Sequence, residues 1–491
     1  MGWNSWDCYG PSVTEAEVKA NARYMAEHLR QFGWRYVVVD IQWYEPKAHA
    51  HGYRPNAELV MDGYGRLLPA ANRFPSSAGG RGFRPLADYV HGLGLKFGIH
   101  VMRGIPRQAV RANTPVLGTA QRARDVADTA STCPWLDDMY GVRADTPGGQ
   151  AYYDSVARLY AGWGVDYVKA DDMSAYTNRE DVGADARRLS EIAALGRALR
   201  KTGRPIVLSL SPGPAATSQV ALLRRSAQLW RISGDFWDRW ADLRRQFELG
   251  RKWAAYTGPN GWADADMLPL GRIAIRGERG DDRMSLLTRD EQVTLLSLWA
   301  IFRSPLMMGG DLPSSDAFTL GLLTNPEVLA VNQHGTRGRE LFARGSAIAW
   351  AADVPRSRDK YLAVFNTGDD AAPAEIKVGF GELGLAGECR VRDLWQRRDV
   401  GVLRGEITST VSRHGARLYR LSPVAGRAPA RETRRRVKSR LVRMGRRKNL
   451  STKRHETARS RTHEPFVSVR VISCGFVDGF FLACPHLAGV D

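Results

Sequence analysis

Apolar and polar positions along this chain follow two periods. Over the first two-thirds, short apolar runs alternate with segments whose apolar residues recur at helical spacing. The runs at 36–41, 96–102, 165–170, 205–211 and 229–233 predict strands. The amphipathic stretches 15–31, 150–163 and 185–200, and the more apolar 292–302, predict helices. Ser12-Val13-Thr14-Glu15 reads as a capping box ahead of the first helix, and Thr288 to Glu291 as one ahead of the last. Gly33, Gly94 and Gly164 each stand shortly before a strand, where the preceding helix should end. Strand and helix alternate about seven or eight times over roughly 330 residues, which predicts α/β architecture with a parallel sheet.

An open doubly wound sheet and a closed (β/α)₈ TIM barrel both satisfy that pattern. No G-x-G-x-x-G or P-loop follows a strand, which removes the usual reason for an open nucleotide-binding sheet. The length suits a barrel with long loops, so the catalytic barrel is placed at 1–335. Polar and aromatic residues collect after the strands: Asp40, Trp43, His100, Asp171, Ser211, Asp235 and Asp266. In a barrel those ends share one face. From about 336 to 423 the texture changes to short strand candidates separated by Gly, Asp and Pro turns, which predicts an antiparallel β-sandwich. Beyond that, 424–491 is basic and without sustained period, and reads as a disordered or non-native tail.

Charge refines this division. Of the net +19, roughly +11 lies in the last 66 residues, so the body gives little reason to expect nucleic-acid binding. A basic disordered tail of this kind binds polyanions non-specifically at most. No run of about 18 apolar residues is present, so no membrane span is expected. The N-terminus reads as structured core and not as a secretory leader. The expected compartment is therefore cytoplasmic, or secreted or periplasmic if a leader is missing from the start. The five cysteines are irregularly spaced without a C-x-x-C pair, so buried thiols are expected and not a zinc or redox site.

The chemistry begins at Val165-Asp166-Tyr167-Val168-Lys169-Ala170-Asp171-Asp172. Strand alternation puts Tyr167, Lys169 and Asp171 on one side. A carboxylate at a buried strand end beside a cation is costly unless it has a role or a partner. Leu229 to Asp235 repeats the arrangement with Arg231 and Asp235. Two such carboxylates are what glycoside hydrolysis requires. Each taken alone also fits a helix N-cap or turn residue.

Met1–Trp6, Asp40 to Trp43, Lys169 to Asp171, Arg231 to Asp235 and Trp262-Ala263-Asp264-Ala265-Asp266-Met267 together resemble glycoside hydrolase family 27, the α-galactosidases and α-N-acetylgalactosaminidases. The resemblance spans about residues 1–423. Ile99-His100-Val101-Met102-Arg103-Gly104 and Leu210-Ser211-Pro212-Gly213 resemble the branch that includes plant-like α-galactosidase/β-L-arabinopyranosidase enzymes. It implies Asp171 as nucleophile and Asp235 as general acid/base of a retaining double displacement. Lys169 is expected to hold Asp171 ionised and bond a sugar hydroxyl, and Trp237 or Trp240 to make a less polar surrounding for Asp235. Arg231, Asp266 and Met267 match sugar-binding positions, and Trp6 and Trp43 match aromatic positions packed on the ring.

Three departures bear on the sugar. Asp40 matches the first of two consecutive family acids, and Ile41 replaces the second. Ser211-Pro212 stands where the family carries a cysteine and then a glutamate or serine. His100 stands where a tyrosine is common. The family disulfide beside the nucleophile is absent, with Asp172-Met173 and Ser211 in its places. The leading expectation is an exo-acting α-galactosidase on galactose-containing oligosaccharides or glycoconjugates. β-L-arabinopyranosidase and α-N-acetylgalactosaminidase are the alternatives on the same scaffold. A non-catalytic carbohydrate-binding barrel is the alternative of another class, and would have lost a carboxylate. No metal or organic cofactor is implied, and oligomeric state is left open.

Overall fold

The computed structural model describes residues 1–173, 182–211, 214–259 and 261–424. The tail 425–491, 174–181, Pro212, Gly213 and Asn260 lie outside the described residues. Eight parallel strands run in chain order: β1 Gly2–Asn4, β2 Tyr36–Val39, β3 Lys96–Met102, β4 Tyr167–Asp171, β5 Val207–Leu210, β6 Leu229–Arg231, β7 Trp262–Asp264 and β8 Met307–Met308. β8 pairs with β1. Leu268, just past β7, bridges to Met308 in parallel sense, and its amide donates to the Met307 carbonyl at 2.8 Å. The ring is thereby closed, and the open doubly wound alternative is excluded.

The helices start and stop where side chains satisfy their free backbone groups. Thr288 and Glu291 form the expected capping box of helix Arg289–Phe302. The first box is displaced from its expected place. Thr14 and Glu17 form it, while the Ser12 hydroxyl donates to the Tyr9 carbonyl and Glu15 takes Lys19 and the Ser76 amide. The helix expected over 15–31 is also divided, into an α segment Glu15–Tyr24, a π turn Met25–Leu29 and a 3₁₀ turn Arg30–Phe32. Helix Pro147–Trp163 ends at Gly164, whose φ of 83° suits a residue without a Cβ.

Eight strands follow the barrel: β9 Thr336–Arg344, β10 Ala347–Asp353, β11 Lys360–Asn366, β12 Ala374–Gly379, β13 Glu388–Asp393, β14 Arg398–Arg404, β15 Glu406–Val411 and β16 Ala416–Pro423. They form an antiparallel six-stranded sheet, β9-β10-β11-β16-β13-β14, and a pair β12-β15. Strand alternation explains how the larger sheet serves two cores. Ala349, Ala351, Leu362 and Val364 pack with Ile376, Val378 and Ile407 inside the sandwich. Trp350, Ala352 and Phe365 face the other way and join the barrel core. Phe302 meets Trp350 and Phe247 meets Phe365 edge-on at 6.1 and 5.0 Å. Helix Arg289–Phe302 lies at this junction and is buried on nearly every side, which accounts for its weak amphipathic pattern.

Candidate active site

The carboxyl ends of the barrel strands open into a cavity of about 320 Å³. Trp6, Asp40, Lys169, Asp171, Ser211, Arg231, Asp235, Asp266 and Met267, all singled out from sequence, line it. Of the eleven candidates, only Trp43 and His100 do not. Parallel register explains the convergence. His100 of β3 lies level with Lys169 of β4, and Lys169 level with Ser209 of β5. Asp40 is one residue past Val39, which pairs with Ile99. Asp171 then rises two residues above Lys169 on the same side of β4.

Asp171 is held from two directions. His100 donates through Nε2 to Oδ2 at 2.6 Å, and the Asp172 amide donates to Oδ1 at 2.7 Å. Its side chain keeps 11% of its surface exposed. Lys169 makes its direct bond elsewhere: Nζ donates to Asp40 Oδ2 at 2.9 Å, level with it two strands away, while the Asp171 charge acts on it without a hydrogen bond. Asn4 Nδ2 donates to the same Asp40 oxygen at 2.7 Å and the Ile41 amide to the other at 2.9 Å. Burial alone would raise the Asp40 pKa, but Lys169, then His100 and the Ile41 amide, outweigh it and hold the carboxyl at about 2.

Asp235 is the more open carboxylate, with 40% of its side chain exposed. Its partner is Arg231 Nη2 at 3.2 Å, so the less polar surrounding expected for it is incomplete. Trp237 does line the cavity, but Trp240 stacks on His414 with centroids 3.7 Å apart and is not among the cavity residues. Arg231 also pairs through Nη1 with Asp266 at 2.9 Å. The second Asp266 oxygen accepts from the Phe236 amide at 2.8 Å, one residue after Asp235. Asp266 thus ties β6 to β7 and fixes the loop that carries Asp235.

Trp43 is not a wall of the cavity. It lies in the turn 41–44 beyond β2, where Gln42 adopts φ 60°. There Trp43 is fully buried against Tyr44, Phe83 and Trp163, donating to the His100 carbonyl at 2.7 Å. The aromatic surface comes instead from Trp6 stacked on Tyr53 at 5.7 Å, with Trp135 continuing at 5.6 Å. Tyr53 and Trp135 come from long loops after β2 and β3, where periodicity carries no signal.

Two further features escaped the sequence reading. Behind the nucleophile, Arg103 clamps Asp172 Oδ2 at 2.8 Å and Glu191 at 2.5 Å, and Arg188 takes the other Asp172 oxygen at 3.0 Å. Asp172 itself has φ 55°, a conformation that costs a non-glycine residue energy unless its surroundings hold it. The clamp occupies the place where the family resemblance leads one to look for a disulfide.

The second is Asp7, a cavity-lining carboxyl that is 2% exposed. Its Oδ2 has no hydrogen-bond partner among the described residues, and Gly309 lies against it so closely that a Cβ would come within 1.9 Å. Burial first, then the Asp266 charge, raise its pKa well above the ordinary value. A raised carboxyl pKa stabilises the fold at low pH and ceases to do so as pH rises from the ordinary Asp value of about 4 toward the folded value. Asp7→Asn is therefore expected to raise the melting temperature at neutral pH by a few degrees, with the gain vanishing below about pH 4. Thermal melts of both proteins between pH 3 and 8 check this.

The chain matches the family model described as alpha galactosidase A over residues 118–334, and that of the alpha galactosidase C-terminal beta sandwich domain over 344–421. It is 30% identical to alpha-galactosidase 3 of Arabidopsis thaliana, covering 86% of this chain and 81% of that protein. It is 29% identical to the alpha-galactosidase of Cyamopsis tetragonoloba, covering 86% of each. Among solved structures, it is similar to the GH27 β-L-arabinopyranosidase of Geobacillus stearothermophilus. That match has 51% identity and a TM-score of 0.83, covering 87% of this chain and 97% of the other. A variant of that enzyme solved with arabinose matches at the same identity and TM-score, covering 86% and 97%.

Proposed function

Since this chain belongs to glycoside hydrolase family 27, we propose that it is an exo-acting retaining glycosidase for terminal sugars of galactose configuration, with β-L-arabinopyranosides preferred and α-D-galactosides also cleaved. The observation that carries the reading is one cavity holding Asp171 and Asp235 together with Asp40, the sugar-binding acid whose usual second partner is replaced by Ile41. Asp171 attacks the anomeric carbon while Asp235 protonates the leaving oxygen. Asp235 then takes a proton from the water that releases the sugar. His100 and the Asp172 amide aim the nucleophile.

The sugar preference rests on Ile41. L-arabinopyranose is galactose without the hydroxymethyl group, so it asks for fewer polar partners. The Asp40 carboxylate already accepts from Lys169, Asn4 and the Ile41 amide, and Ile41 is a buried apolar side chain where a second acid is usual. A galactose hydroxymethyl that loses water without full replacement costs about 1–3 kcal/mol. The similarity to a solved β-L-arabinopyranosidase supports the same order.

A kinetic panel of nitrophenyl glycosides tests it. The expected kcat/KM is highest for β-L-arabinopyranoside, about tenfold or more lower for α-D-galactoside, and lowest for α-N-acetylgalactosaminide. A galactoside turned over faster than the arabinopyranoside would leave the glycosidase reading standing and remove the sugar preference.

A further inference from the structure

Glu278 and Arg279 belong to no barrel strand, yet both line the cavity. They sit in the turn between two short antiparallel strands, Arg272–Ile273 and Arg283–Met284, that follow β7. The turn is braced at several points. Arg272 Nε donates to Asp282 Oδ1 across its base at 2.7 Å. Arg283 grips both Asp238 oxygens at 3.0 and 2.7 Å. Arg276 donates to the Ser12 hydroxyl at 2.9 Å and to Glu17 at 2.6 Å. A Cβ on Gly277 would meet the Asp7 carbonyl at 2.6 Å, so the backbones lie in contact. A turn pinned this often presents its tip in one position.

That tip stands on the Asp235 side of the cavity. Asp238, held by Arg283, is three residues past Asp235. The Arg279 guanidinium lies 5.7 Å from the Trp237 ring centroid, and Trp237 is two residues past Asp235. The Glu278 carboxyl faces Trp6, and burial followed by the nearby Asp235 charge raises its pKa. A glycosidase's proton donor lies against the leaving oxygen. Groups gathered around Asp235 therefore border the leaving group.

We propose that Glu278 and Arg279 form a leaving-group subsite that selects a carbohydrate aglycone. The carboxyl accepts from the aglycone hydroxyls and the guanidinium donates to them. The aromatic surface that Trp6 begins continues through Tyr53 to Trp135 in the same cavity, which suits the apolar face of a second sugar ring. A flat apolar aglycone would need neither charged group. This assignment rests on the glycosidase reading and names its aglycone class.

The test compares full-length wild type, Glu278→Ala and Arg279→Ala on two substrates, nitrophenyl α-D-galactoside and the galactosyl–glucose disaccharide melibiose. In each variant the ratio of kcat/KM for melibiose to that for the aryl galactoside is expected to fall at least about tenfold, the loss of one hydrogen bond to a charged group. An unchanged ratio, whether both substrates slow together or neither does, would overturn the subsite. A wild-type enzyme that cleaved neither of these nor nitrophenyl β-L-arabinopyranoside would overturn the glycosidase reading beneath it, and one that cleaved only the arabinopyranoside would overturn the subsite as a selector of galactoside aglycones.

Discussion

Asp171→Asn yields a folded protein whose turnover is lower by several orders of magnitude. An amide cannot form the glycosyl ester, so the double displacement loses its first covalent step. The local cost to the fold is small by comparison. The wild-type oxygens accept from His100 Nε2 and the Asp172 amide, so an amide nitrogen faces one donor with another, at about 1–3 kcal/mol. Steady-state rates measured beside a melting curve separate the two effects. Near-normal turnover in a well-folded Asp171→Asn would remove Asp171 from the nucleophile role.

Asp235→Ala is expected to divide substrates by leaving group. Alkyl and sugar aglycones need protonation as the bond breaks, and positioned acid catalysis contributes about 10²–10⁴-fold. Activated aryl glycosides form the covalent intermediate with little help and are held back mainly in its hydrolysis. Azide should therefore restore part of their turnover by attacking without base assistance. The room for azide is visible: Asp235 is the more exposed of the two carboxylates, and truncation to alanine widens the cavity further. Equal losses for all leaving groups, with no azide rescue, would make Asp235 structural, a partner of Arg231 only.

Much of this site is legible in sequence because strand ends are short and register is regular. β3 is readable at its full length, 96–102, because Phe97, Ile99, Val101 and Met102 give it apolar residues on both faces, as a doubly buried strand requires. β1, β7 and β8 span two or three residues, too few to show any period, and their place in the ring comes from pairing alone. The alternation that set Lys169 and Asp171 on one side was right. What alternation does not give is the direct hydrogen-bond partner of Lys169, which is Asp40, because pairing depends on the layer that each neighbouring strand contributes; Asp171 acts on Lys169 through charge. Trp43, placed on the sugar by resemblance alone, shows how one left-handed turn residue, Gln42, can send a side chain elsewhere. The Asp172 clamp draws Arg103 from the end of β3 and Arg188 and Glu191 from helix Val182–Lys201. Only the fold brings those charges together. Glu278 and Arg279 sit in a Gly- and Arg-rich turn with no periodic signal, and become cavity residues only because the turn is braced back toward Asp7 and Asp238.

The most direct measurement of the central claim is proton NMR of the first turnovers on an aryl α-D-galactoside, recorded before mutarotation mixes the anomers. Double displacement through Asp171 releases α-D-galactose first, with the β-anomer growing in later. Early accumulation of the β-anomer would mean a single inverting displacement and would contradict the roles given to Asp171 and Asp235.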